Sequence, residues 1–198
     1  MLIFKKRLWK DRFATIQTYY KSPKFAFLDL TYWVIYCFSN PYRVSRKFLQ
    51  KRGEKEIYAY GETPYVTYHK MACEVGLKET DVWMEMGSGR GKGCFWVAHF
   101  MKCRVIGVEW IPQFVYLSKV IRTLFRMKKV SFRGEEIQTT SLEGVTVIYL
   151  YGLWPPLQLS PKVKLITISE PIEGFRVVHS FWVRFPWGRT RAYVQQSF

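Results

Sequence analysis

Cysteine, histidine, acidic residues and long apolar runs are all scarce in this chain, and each scarcity closes off a class of function. The four cysteines, Cys37, Cys73, Cys94 and Cys103, form no CxxC pair. His69, His99 and His179 show no ligand spacing. A structural zinc site or disulfide framework is therefore not expected, and reduced thiols in a cytoplasmic setting are the default. Acids number 15 against 31 Lys and Arg, leaving a net charge of +16. That exceeds the surplus of about 2–8 typical of a small domain, so an anionic partner is expected: nucleic acid, a membrane surface or an acidic protein. The most apolar early run, FAFLDLTYWVIYCF (25–38), is too short to cross a bilayer and contains Asp29. Basic residues precede it, but Ser39, Asn40 and Pro41 follow in place of a small-residue cleavage site. It reads as a buried helix rather than a span or a leader.

What the chain does have is core material. With 48% hydrophobic and 18% aromatic residues, one domain of this length can bury a sizeable core. Residues 1–57 read as a basic, aromatic-rich helical extension, broken into two pieces at Asn40-Pro41. Residues 58–198 read as the main domain. It begins with the loop YAYGET, followed by Pro64 and a helix through Val75 that Gly76 closes. Past Asp81 short apolar runs alternate with helical patterns: VWMEM, CRVIGVE, KVSFRG, VTVIYLY and KLITIS are the candidate strands. This texture predicts an α/β fold, a mostly parallel Rossmann-like sheet with helices on both faces. At the end, VVHSFWVRF and TRAYVQQ surround Pro-Trp-Gly-Arg and predict an antiparallel hairpin. There is no internal repeat and no low-complexity segment.

The segment EMGSGRGKG (85–93) carries glycines at 87, 89, 91 and 93, behind a strand and ahead of a helix. That is the context for a ligand held at a helix N-terminus. A Walker loop is excluded because Gly-Lys is followed by Gly93 rather than Ser or Thr. The dinucleotide pattern GxGxxG also fails in register. What remains is acid-x-Gly-x-Gly-x-Gly, from Glu85 to Gly91. A second acid, Glu109, ends the next strand about 20 residues on, where it can accept hydrogen bonds from ribose hydroxyls.

This pattern resembles the first motif of class I S-adenosylmethionine-dependent methyltransferases. A ligand bearing an amino group and a sulfonium, and no phosphate, suits a carboxylate at the strand tip. Adding Tyr60-Gly61-Glu62-Thr63 upstream and Gly107-Val108-Glu109 downstream, residues 58 to about 152 are similar to the non-SET histone lysine methyltransferases, the disruptor-of-telomeric-silencing type. The resemblance implies S-adenosyl-L-methionine as cofactor. It places contacts on Tyr60, Glu62, Thr63, Glu85, Gly87, Ser88, Gly89, Gly91, Lys92, Glu109 and Trp110, with Glu135 facing the adenine amine. It also implies a lysine channel in the last hairpin, for which Trp187 and Tyr193 are the candidates. Tyr151 joins them, standing where the family has Asn-Asn-Phe. Lys92 replaces the family's glutamine, and the N-terminal segment is unlike the family's.

Trp154-Pro155-Pro156 does not make the D/N-P-P-Y tetrad of amino-methylating enzymes, because tryptophan cannot accept a hydrogen bond. In the helix after Glu109, Phe114, Leu117, Ile121 and Leu124 form the expected apolar stripe, and Lys119, Arg122, Arg126 and Lys129 a cationic ridge. The reading that results is a methyltransferase acting on protein lysines, the substrate being a basic, DNA-associated protein, with nucleoid or chromatin association. Two alternatives stay open: an RNA methyltransferase, and a non-catalytic nucleic-acid-binding module.

Overall fold

The computed structural model describes residues 2–152 and 159–198, with side chains from Asp11 onward. Trp154-Pro155-Pro156 lies outside the described residues. Three helices come first: α1 (Leu2–Tyr19), α2 (Pro23–Phe38) and α3 (Pro41–Lys51). The expected break at Asn40-Pro41 is present, with the Asn40 side chain accepting from the amides of Tyr42 and Arg43. A second break, unforeseen, falls before Pro23, whose missing N–H suits a first helical position. Next come α4 (Tyr65–Glu74), β1 (Val82–Met86), α5 (Lys92–Phe100), β2 (Arg104–Val108), α6 (Pro112–Leu124) and β3 (Val130–Arg133). A single 3-10 turn at Ile137–Thr139 precedes β4 (Val147–Leu150) and β5 (Lys164–Ile168), and the hairpin β6 (Arg176–Phe185) and β7 (Gly188–Gln196) ends the chain.

The seven strands form one sheet in the order β3-β2-β1-β4-β5-β7-β6. β1 to β5 run parallel, and β7 pairs antiparallel with β5 and β6. β1 is central and every residue in it is buried, which is why VWMEM reads as an unbroken apolar run rather than an alternating one. Glu85 is the exception in chemistry though not in burial.

Helices were expected on both faces of the sheet; among the described residues they gather on one. Trp83, Val105, Val147 and Ile166 pack there with residues of α2, α4 and α5 and with Ile121 of α6. The opposite face, with Met84, Met86, Ile106, Ile148 and Leu165, is covered by Ile137, Leu142, Leu159, Ile172 and Phe175 from connecting segments. A single 3-10 turn and loops cover that face with apolar residues that follow no α-helical period, so no sequence pattern marks it.

The N-terminal helices belong to the main core. Tyr19, Phe25, Leu28 and Tyr32 share a cluster with Trp96 and Phe95 of α5. Asp29 is buried here with both oxygens engaged, Oδ1 accepting from the Tyr65 hydroxyl at 2.7 Å and Oδ2 from Tyr20 at 2.8 Å. A carboxylate inside an apolar helix is tolerable on those terms. The buried-helix reading of 25–38 holds for one side only, since Phe27, Leu30, Val34 and Phe38 are exposed. In α6, Phe114 and Ile121 are buried as expected, but Leu124 is exposed. The cationic ridge is also shorter than expected. Arg126 has left the helix with φ 50°, and the Lys129 ammonium donates to the Lys102 carbonyl.

Candidate cofactor and substrate cavities

The glycine segment turns sharply at the C-terminal end of β1. Gly87 and Ser88 both donate their amides to the Val108 carbonyl at 2.9 Å, which ties the loop to the tip of β2. Gly89 has φ +54°, and a Cβ there would crowd the Tyr60 ring at 3.2 Å. Gly87, in contrast, has open space where its Cβ would be, so its backbone is left bare to a ligand. Above the loop lies a cavity of about 400 Å³ at the tips of β1, β2 and β4. It sits where the strand order reverses, the place for a ligand in an open parallel sheet, and its size is that of a small-molecule site, about 300–1,000 Å³.

Four carboxylates line this cavity; Glu56 is exposed, and the other three are held in different electrostatic states. Glu109 is buried; its Oε2 accepts from the Gly89 amide at 2.7 Å and its Oε1 from the Ile111 amide at 2.7 Å. Burial pushes its pKa up against those bonds. Glu85 is deeper, and desolvation pushes it up to about 7 even though it accepts from Tyr68 at 2.5 Å and from the Cys94 thiol at 3.3 Å. Glu62 goes the other way. Burial raises it, but Lys92 and Arg90 together outweigh that and hold it at about 2. Its Oε1 accepts from Arg90 Nε at 2.9 Å, from Arg90 Nη2 and from the Tyr60 hydroxyl at 2.8 Å, and its Oε2 from Lys92 at 3.2 Å.

The arrangement fits a cationic nucleoside ligand. The bare Gly87 backbone, Ser88 and the Glu109 carboxylate all line the cavity. Trp110 adds an aromatic surface, held by Arg52 at 4.1 Å from its ring centre and by Phe48 edge-on. Tyr60, Glu62, Thr63, Glu85, Gly87, Ser88, Gly89, Lys92, Glu109, Trp110 and Tyr151 all line the cavity. Gly91 lies beneath it as the left-handed N-cap of α5. Glu135 is not in the lining; it turns away to accept from Thr140 at 2.5 Å, and Ile137 takes its place.

Sequence reasoning missed Ser45 and Leu49 of α3, which close the cavity from the N-terminal side. It also passed over Arg90, which stood inside the quoted motif. That side chain is only 4% exposed, its Nη1 has no hydrogen-bond partner among the described residues, and Tyr32 donates to its carbonyl.

A second cavity of about 580 Å³ adjoins the first and shares Glu62, Thr63, Arg90 and Lys92 with it. Tyr32, Trp33, Tyr36, Tyr42 and Tyr65 wall it, together with Asp11, Arg12 and Asp29. Of the hairpin candidates, Trp187 donates its indole N–H to the Tyr151 hydroxyl at 3.0 Å and stacks on Phe185. Neither cavity includes Trp187 in its lining, but its neighbour Pro186 reaches the second. Tyr193 is not part of this group. Its neighbours Ala192 and Val194 point into the helix-covered core, so strand alternation puts Tyr193 on the opposite face of the sheet from Tyr151 and Phe185. A channel walled jointly by Trp187 and Tyr193 is therefore not what the fold builds.

Comparison with known proteins agrees with this geometry. The family described as "Histone methylation protein DOT1" matches residues 45–145. A search of curated proteins returned no match. Among solved structures, an RNA methyltransferase from Salinibacter ruber in complex with S-adenosyl-L-homocysteine superposes with a TM-score of 0.59 at 23% identity, covering 69% of this chain and 94% of that one. TrmN from Thermus thermophilus gives 0.56 at 13% identity, over 70% of this chain and 50% of its own length. The B. subtilis M1A22 tRNA methyltransferase TrmK gives 0.54 at 12%, over 67% and 65%. At these identities the likeness is one of fold.

Proposed function

The chain belongs to the family of the histone methylation protein DOT1, and from that premise we propose that it transfers methyl groups to lysine side chains of a protein substrate. It is an S-adenosylmethionine-dependent methyltransferase of class I fold. Bound, the cofactor supplies an electrophilic methyl group on a sulfonium, and the rest of the task is alignment and exclusion of water.

This chain's residues divide that task. With the cofactor bound, Glu109 would accept from the ribose, Trp110 would offer a surface to the adenine, and the Gly87–Gly89 backbone would allow close approach. The Glu62–Arg90–Lys92 cluster, which carries one net positive charge, meets the amino-acid end of the cofactor. Thr63 bonds the Tyr149 hydroxyl at 2.7 Å and fixes the YGET loop where the two cavities meet.

The observation that carries the lysine reading is the second cavity, which shares Glu62 and Thr63 with the first and is walled by tyrosine and tryptophan rings. Aromatic walls desolvate an entering ammonium and lower its pKa, favouring the neutral amine that attacks the methyl. Trp187 and Tyr151 act at the rim.

The test is transfer of labelled methyl from the cofactor into a cell lysate, followed by separate protease and ribonuclease digestion. Label recovered as methyl-lysine supports the reading. Label released by ribonuclease with protein left unlabelled overturns it in favour of RNA.

A further inference from the structure

The helix α2 is apolar on two opposite sides. Phe25, Leu28 and Tyr32 face the core, while Phe27, Leu30, Val34 and Phe38, spaced for a single face, point outward. Val34 is 60% exposed and Phe38 88%. A helix apolar all round is normally buried on every side or placed in lipid. At 16 residues it is about 24 Å long, and among the described residues no helix is long and apolar enough to cross a membrane.

A second exposed stripe lies on α6, where Tyr116, Val120 and Leu124 follow one another at helical spacing. The Phe27 ring meets the Phe125 ring at 5.7 Å, so the start of α2 lies against the end of α6.

Charge accompanies both stripes. The only acids before Glu54 are Asp11 and Asp29. Both are buried and engaged, Asp11 with Arg184 and Asp29 with Tyr20 and Tyr65. From Trp110 to Gly134 there is no acid at all. Lys21, Lys24, Lys119, Arg122, Arg126 and Lys128 are exposed on these segments.

We infer that the α2–α6 face docks in the plane of an anionic lipid bilayer, the aliphatic and phenyl groups entering the acyl boundary while the cations meet the headgroups. Interfacial helices bind by that combination of apolar burial and attraction to anionic lipid. A second copy of the chain is disfavoured, since an isologous contact would bring two acid-free cationic faces together. A nucleic acid meets the cations but offers Leu30, Val34 and Leu124 nothing apolar along its phosphates.

The experiment is flotation of the full chain with vesicles of phosphatidylcholine alone, and of phosphatidylcholine with about one-third phosphatidylglycerol, at about 0.15 M salt. Wild type should float with the anionic vesicles and stay behind with the neutral ones. The double variant Leu30→Ser/Val34→Ser changes only exposed positions, so its melt should match wild type. Its apparent affinity should fall at least about tenfold, as expected for losing the burial of two aliphatic side chains. Lys119→Gln/Arg122→Gln should weaken binding by a similar factor and flatten its dependence on anionic lipid. Failure of wild type to float with anionic vesicles overturns the inference. So does a dimer in sedimentation that Leu30→Ser/Val34→Ser dissolves, or binding to nucleic acid that blocks flotation and is indifferent to that variant.

Discussion

Replacing Glu62 by glutamine tests the electrostatics of the cavity without any ligand. In the native chain this carboxylate holds two cations, and Arg90 is so enclosed that only 4% of its side chain meets solvent. The Glu62 pKa, about 2 against the ordinary 4.5, converts at 1.36 kcal/mol per unit to about 3 kcal/mol of stability at neutral pH. That agrees with the roughly 3–5 kcal/mol lost when one partner of a buried pair is removed and the other left uncompensated. Because the folded value is depressed, the contribution is fully present above about 4.5 and is lost as pH falls toward about 2. With a urea slope of about 2–3 kcal/mol per molar for a chain of this size, Glu62→Gln should lower the unfolding midpoint by about 1–1.5 M at pH 7. At about pH 3 the gap should shrink to less than half, because wild-type Glu62 is then losing its charge advantage. A variant as stable as wild type at pH 7, or a gap that is the same at both pH values, would show that Glu62 is not held by this ion-pair cluster.

Glu85 should act in the opposite sense. With its folded pKa raised to about 7, the native state holds a proton that the unfolded chain has released, so stability should fall by up to about 3 kcal/mol as pH rises from about 4.5 to 7. Glu85→Gln should flatten that slope in pH-dependent melts, and an unchanged slope would exclude Glu85 as its source. Glu109→Gln should weaken cofactor binding by about 1.5–3 kcal/mol, the range for hydrogen bonds to a charged group; equal calorimetric affinities would remove Glu109 from the ribose. Tyr151→Phe takes away the acceptor of the Trp187 indole and should slow methyl transfer, whereas Tyr193→Phe, on the other face of the sheet, should leave the rate unchanged. Equal losses in a transfer assay would show that the hairpin is used differently. Gly93→Ala should destabilise the fold by about 1–3 kcal/mol, since the added methyl runs into the Tyr68 ring; an unchanged melt would show that Tyr68 yields at no cost.

The parts of this protein that depend on neighbours along the chain could be read directly from the order of its residues. Strand runs such as VWMEM, the Asn40-Pro41 helix start, the Gly76 stop and the terminal hairpin are local in origin, because they rest on turn chemistry and side-chain periodicity. The glycine segment and Glu109 were legible for the same reason: a strand tip fixes what stands beside it, and the two strands are adjacent in the sheet. The remainder was fixed by long-range packing. Whether helices cover both faces of the sheet depends on where connecting segments travel, and neither Ile137 in its single 3-10 turn nor Phe175 in a loop belongs to an α-helical period. That α3 closes the cavity with Ser45 and Leu49 could not be read from a segment some forty residues before the glycine loop. The partnership of Glu62 with Arg90 joins two loops whose approach depends on α4 and α5 packing together. Tyr193 fell on the wrong face because a single step along a strand reverses a side chain, and the register of β7 on β5 is set by the whole sheet. The outward face of α2 follows the same rule, since apolar residues on both sides of a helix say that two surfaces need covering, and only packing shows which of them the protein covers itself.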